Sequence, residues 1–183
     1  MKRLLLNIAT FKTGYVICAF SATRLPLLAV PAIAALLVLH LWLTEKWKLE
    51  LRLILIVGII GGIVDSALGN LGVMRFAVGE STSVFAPAWL IALWMIFATT
   101  LPHALKWLAG RPLLAGAVGF VGGPLSYYAG SLTGAIDLNE HAMTSLVAIG
   151  AAWAVVLPLI SWLSTRPEFN AYDVQVAAQP VPD

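Results

Sequence analysis

Residues 51–71 read LRLILIVGIIGGIVDSALGNL. Between Arg52 and Asp65 lie twelve residues without a charge. The apolar positions run on without the alternation that a half-buried strand requires. A helix of this length extends about 30 Å at 1.5 Å per residue, the thickness of a bilayer's hydrocarbon layer. The stretch therefore reads as a membrane-crossing helix. The rest of the chain agrees: of 183 residues, 60% are hydrophobic and 11% charged, with a mean hydropathy of +0.90. Soluble domains average about 45–50% apolar and about 25% charged. A soluble enzyme, a nucleic-acid binder and a disordered chain do not fit these figures. The net charge of +2 is too small to imply a polyanionic partner, so no nucleic acid is expected. The single cysteine, Cys18, excludes an internal disulfide and any cysteine-based metal cluster.

Working outward, five further apolar runs match the first. Six spans are expected, over residues 4–20, 25–43, 51–71, 85–101, 112–135 and 142–163. The reading is an all-α, integral membrane bundle over residues 1–165. A disordered cytoplasmic tail is expected over 166–183, which lacks apolar periodicity. Membrane-spanning strands are not expected, and sequential spans should pack as antiparallel neighbours. With the N-terminus in the cytoplasm, the inner side carries Lys2, Arg3, Lys46, Lys48, Arg52, Lys106, Arg111 and Arg166, against Arg24 and Arg75 outside. The positive-inside rule then places both termini in the cytoplasm of a bacterial inner membrane. Trp42, Trp47, Trp107 and Trp162 fall at the inner boundary and Trp89 at the outer one, as an aromatic belt. Lys12 interrupts the N-terminal apolar run, which is read as a retained first helix rather than a signal peptide.

Glycines give a second level of order. Gly58, Gly61, Gly62 and Gly69 recur 61 residues later as Gly119, Gly122, Gly123 and Gly130. This is a candidate parallel repeat of spans two–three in spans four–five; chance resemblance between glycine-rich helices is the alternative. Small residues at i, i+4 and i+8 (Gly58, Gly62, Ser66; Gly122, Ser126, Gly130) let membrane helices approach closely. Spans three and five are expected to be central. Gly122-Gly123-Pro124 is the expected break in span five.

Ionisable groups at membrane depth cost at least about 2.5–3.5 kcal/mol at a helix centre and usually have a partner or a task. Lys12 and Asp65 are the two candidates here. The long stem of Lys12 could carry it toward Asp65. Hydrogen bonds from neighbouring hydroxyls are the other way to hold this carboxyl. Ser66, Ser126 and Tyr127 fall near it in depth, so these five residues are the candidate ligand or proton site. Thr99, Thr100 and His103 form a second candidate cluster at the inner end of span four, with Thr99 and His103 on one helical face. His103 and Asp65 are assigned to opposite membrane surfaces, which disfavours acid–base chemistry between them. His40 reads as interfacial or hydrogen-bonded. No HExxH, P-loop, CxxC or zinc-ligand spacing is present, so neither a metal nor another cofactor is expected.

Asn7, Asp65-Ser66 followed by Leu71-Gly72-Val73, Phe97-Ala98-Thr99-Thr100-Leu101 before His103, Gly110-Arg111-Pro112-Leu113-Leu114, and Gly122-Gly123-Pro124-Leu125-Ser126-Tyr127 together resemble domain of unknown function 2878. The resemblance covers about residues 4–163. Lys12 and Pro102 depart from its pattern, which suggests an uncharged polar residue and Asn there. It implies a small bacterial multipass inner-membrane protein without an assigned activity. It also implies a connection to lipid biology, because members are often encoded near enzymes that modify membrane fatty acids. Two functions follow as expectations. The first is binding or transport of a small solute or lipid. The second is a non-catalytic scaffold or accessory subunit of a membrane lipid-modifying system. Membrane lipid, a second copy of the chain or a membrane protein are the expected partners. An intramembrane enzyme using Asp65, Tyr127 or His103 ranks third.

Overall fold

A continuous apolar run leaves the backbone its own carbonyls as partners, and helices follow. The computed structural model describes residue 7 and residues 10–18, 26–76 and 84–169. Residues 10–18 are helical and are termed α1. After it come α2 (Pro26–Trp42), α3 (Trp47–Asn70), β1 (Arg75–Phe76), α4 (Ala88–Ala98), a 3-10 turn (Lys106–Leu108), α5 (Pro112–Leu132), β2 (Ile136–Asp137) and α6 (Ala142–Leu163). The described residues are all-α apart from one antiparallel ladder. That ladder pairs Arg75 with Asp137 and Phe76 with Ile136, and so ties the connection after α3 to the connection after α5. Lys2, Arg3, Arg24 and the tail from residue 170 lie outside the described residues. Just before them, the Arg166 guanidinium sits 3.9 Å from the Trp162 ring centroid, and Phe169 packs on the core.

The centre of the bundle is α4, where α3 and α5 were expected. Its sequence, AWLIALWMIFA, has no polar face, and a helix that is apolar all round belongs in an interior. No residue of α4 after Ala88 is exposed. It packs against α2 and α3, while α5 packs chiefly on α6. On α5 only Ala115, Gly119, Gly123 and Tyr127 are buried. At 11 residues α4 is also shorter than the expected span. Pro87 precedes it in extended conformation. At the other end Thr99 and Thr100 turn their hydroxyls back onto the carbonyls of Ile96 and Phe97, both at 2.7 Å. Pro102 then disfavours helix for the residue before it. Thr99 and His103 consequently do not share a helical face. Trp89, expected in the outer belt, is buried at 5% exposure. Trp42, Trp47, Trp107 and Trp162 are exposed.

The expected break at Gly122-Gly123-Pro124 does not occur: α5 runs through Pro124, and α6 through Pro158. Each proline denies an amide hydrogen to the carbonyl four residues earlier, which is Phe120 in α5 and Ala154 in α6. Both carbonyls meet a glycine of the neighbouring helix. A Cβ on Gly150 would stand 2.9 Å from the Phe120 oxygen, and a Cβ on Gly116 would stand 3.2 Å from the Ala154 oxygen. Gly119 lies against the Trp153 carbonyl in the same seam. Close approach through glycine lets Cα–H groups face carbonyls that have lost an amide.

Candidate functional site

Gly58, Gly61 and Gly62 form the floor on which α4 rests. Gly58 faces Met95, Gly62 faces Ile91, and the Trp94 indole occupies the space where a Cβ of Gly61 would stand. This close packing brings Trp94 beside Asp65, one helical turn beyond Gly61. Asp65 has 0% exposure. Trp94 Nε1 donates to its Oδ2 at 2.6 Å, and Tyr127 Oη, reaching from α5, donates to its Oδ1 at 2.5 Å. Three helices thus converge on one carboxyl group. Interior polar groups persist only when hydrogen-bonded in this way.

The other predicted members take separate places. Lys12 is exposed on α1, and Asp65 gives its two oxygens to Trp94 and Tyr127. Ser66 Oγ donates to the Gly62 carbonyl at 2.5 Å and accepts from the Ala86 amide at 2.8 Å, which fixes the approach to α4. Ser126 Oγ donates to the Gly122 carbonyl at 3.0 Å, and the Ser126 carbonyl accepts from Tyr15 Oη at 3.0 Å. Thr99 accepts from Asn7 Nδ2 at its carbonyl, 2.9 Å, and at its hydroxyl, 3.2 Å. The Tyr15 bond joins α1 to α5, and the Asn7 bonds tie residue 7 to the end of α4.

In front of the carboxyl lies a cavity of about 220 Å³. Tyr15, Trp89, Trp94, Phe97, Tyr127 and Trp153 supply much of its wall, and Gly119, Gly122, Gly123 and Gly130 keep room on the α5 side. Trp94 and Trp153 stack with centroids 4.5 Å apart and planes 14° apart, and Phe97 meets Trp153 edge-on at 5.5 Å. Ser126 is the one hydroxyl-bearing aliphatic side chain on the wall. Trp153 Nε1 is buried and has no acceptor among the described residues. The cavity is thus an aromatic box. Asp65 does not line it; it locks Trp94 and Tyr127, two of its walls, in place.

A second polar centre was not foreseen. Glu50, in the first turn of α3, is 1% exposed. His40, from the last turn of α2, places Nε2 2.5 Å from Glu50 Oε2, and His103 places Nε2 3.5 Å from Glu50 Oε1. The two imidazoles meet edge-on at 5.7 Å. Sequence spacing hides this group because His40 and His103 are far apart in the chain and Glu50 sits in a run of charges. Fifteen residues of helix, about 22 Å, separate Glu50 from Asp65, so His103 and Asp65 serve different centres.

A family model described as a protein of unknown function, DUF2878, matches residues 4–159. That range contains every residue of both centres. Neither the curated proteins nor the solved structures yielded a match.

Proposed function

The chain belongs to the DUF2878 family, and we propose that it is a six-span protein of the bacterial inner membrane that holds a lipid acyl chain in its aromatic cavity. Several observations support the membrane setting. Helices α3 and α6 are long and apolar enough to cross a membrane. Large apolar side chains face outward along them, among them Leu55, Ile59 and Ile63 on α3 and Val147 and Val155 on α6. A soluble monomer rarely exposes contiguous apolar surface on this scale. The short α4 fits the same setting, since irregular backbone at membrane depth is tolerated where protein covers it. Thr99 and Thr100, just past its end, are 1% and 4% exposed. Basic residues gather at the end formed by the α2–α3 turn and the 3-10 turn, which supports both termini in the cytoplasm. The candidate repeat gains support from packing: Gly58 and Gly62 face α4, as Gly119 and Gly123 face α6.

The observation that carries the ligand reading is the cavity itself. Its walls are apolar and aromatic, and its volume falls below the roughly 300–1,000 Å³ of pockets that enclose a drug-sized molecule. A stretch of hydrocarbon chain fits both properties. The residues in reach include no nucleophile–base pair, which favours holding over chemistry.

Gly122 supplies the test. It lines the cavity, and a Cβ there meets nothing within 4 Å, so Gly122→Leu fills space without a clash at the Cβ. Native mass spectrometry of the wild-type protein should retain one lipid through detergent exchange. Gly122→Leu should lower the retained fraction at least fivefold with helix content unchanged. Equal retention by both proteins, or none by the wild type, overturns acyl-chain binding and leaves the scaffold role as the reading to pursue.

A further inference from the structure

We infer that His40, Glu50 and His103 form a binding site for a divalent transition cation of the zinc class. None of the three residues lines the aromatic cavity. Each residue comes from a different element: the last turn of α2, the first turn of α3, and the turn after α4. Each offers one ligand atom, and these atoms all lie within 4.8 Å of one another. Tetrahedral zinc with bonds of about 2.0–2.1 Å sets its ligand atoms roughly 3.3 Å apart. His103 Nε2 stands 3.5 Å from Glu50 Oε1, close to that value, and His40 Nε2 stands 2.5 Å from the other oxygen, Oε2, so an ion between the imidazoles takes the place of that hydrogen bond.

The chemistry of the set is specific. Two imidazoles with one carboxylate suit zinc or iron(II) and not magnesium or calcium, which prefer oxygen. Burial adds a reason for the charge. The Glu50 side chain is 2% exposed and those of His40 and His103 are 10% and 13% exposed. A carboxylate so deep is costly unless it is paired, and both imidazoles face it here. The Asp65 centre provides the contrast: its two oxygens are both taken by neutral donors and no histidine stands near, so it offers a metal nothing. Among the described residues no second group of three such ligands occurs. Three protein ligands are the complement of zinc sites that keep one position for water or substrate.

The test uses untagged full-length protein in detergent and zinc chloride alone. Calorimetric titration should give one equivalent bound per chain. Glu50→Gln and His103→Ala should each weaken binding at least tenfold, and His141→Ala, a histidine remote from this cluster, should leave it unchanged. Should the variants fail to fold, zinc-edge X-ray absorption of the wild type decides the matter, with scattering from two imidazoles expected at about 2.0 Å. No stoichiometric binding, fewer than two imidazoles, or affinity indifferent to both substitutions overturns the site.

Discussion

Asp65 holds two donors from two other helices, so its removal costs more than one hydrogen bond. Asp65→Ala leaves Trp94 Nε1–H and Tyr127 Oη–H without their acceptor. An abandoned buried donor costs about 1–3 kcal/mol, and interhelical bonds in membranes have measured lower, about 0.6 kcal/mol on average. Asp65→Ala is expected to lose about 2 kcal/mol by thermal or denaturant unfolding in micelles. Tyr127→Phe should lose less, because Trp94 continues to serve the carboxyl. The double variant should lose less than the sum of the two, since the phenol no longer lacks an acceptor; strict additivity would mean that the bond contributes nothing. The sequence revealed Asp65 because a carboxyl between Val64 and Ser66, inside an apolar run, has no solvent to explain it. Its partners were half visible: Tyr127 was placed by depth, whereas Trp94 looked like any apolar residue until Gly61 admitted its ring. Glu50 was hidden for the opposite reason. Lys46, Lys48 and Arg52 surround it in sequence, which is the pattern of a solvated turn, and only the folding of α2 and the α4 exit over α3 takes it from water.

At the scale of elements, the α5–α6 seam joins two prolines to two glycines. Pro124 and Pro158 remain inside unbroken helices because the carbonyls they deprive face Gly150 and Gly116 instead of lipid. Taken as a single helix, Gly122-Gly123-Pro124 reads as a break; the compensation comes from the neighbour. Gly150→Ala should therefore push α6 off the Phe120 carbonyl and destabilise the protein by about 1–3 kcal/mol, the usual cost of overpacking. Gly116→Ala, with 3.2 Å available, should cost less. Gly122→Ala should fall within about 0.5 kcal/mol of wild type, as surface substitutions do. Thermal melts of the three purified variants rank them, and equal losses at Gly150 and Gly122 would remove the seam from the account. The same scale explains α4. Hydropathy ran on through Thr99 and Thr100 because their hydroxyls can bond their own backbone; the helix end is set by those bonds and by Pro102, which no apolar average detects.

For the whole molecule, the two polar centres define a direction. The cluster of Glu50 lies at the end of the bundle that carries Lys46, Lys48, Arg52 and Lys106, and the ladder of β1 with β2 closes the other end. Asn139 reinforces that closure by donating from Nδ2 to the Gly72 carbonyl at 2.9 Å. If the basic end faces the cytoplasm, an imidazole–carboxylate site there meets the metal pool of the cell interior, while the ladder meets the periplasm. A cysteine-labelling experiment separates the ends. Cys18 is buried, and among the described residues its thiol reaches the Trp89 carbonyl at 3.5 Å, a weak bond, so Cys18→Ala supplies a silent background. A cysteine at Lys48 should resist a membrane-impermeant maleimide in intact cells and react after lysis. A cysteine at Asn139 should react at once in intact cells, if loss of its bond to Gly72 leaves the turn in place; Glu140→Cys, next in the same turn, checks that. Reaction of position 48 in intact cells would invert the molecule and put the histidine–glutamate cluster on the periplasmic side. Reaction of neither 139 nor 140 before lysis, with 48 equally silent, would count against an outward-facing ladder and against the six-span topology that requires one.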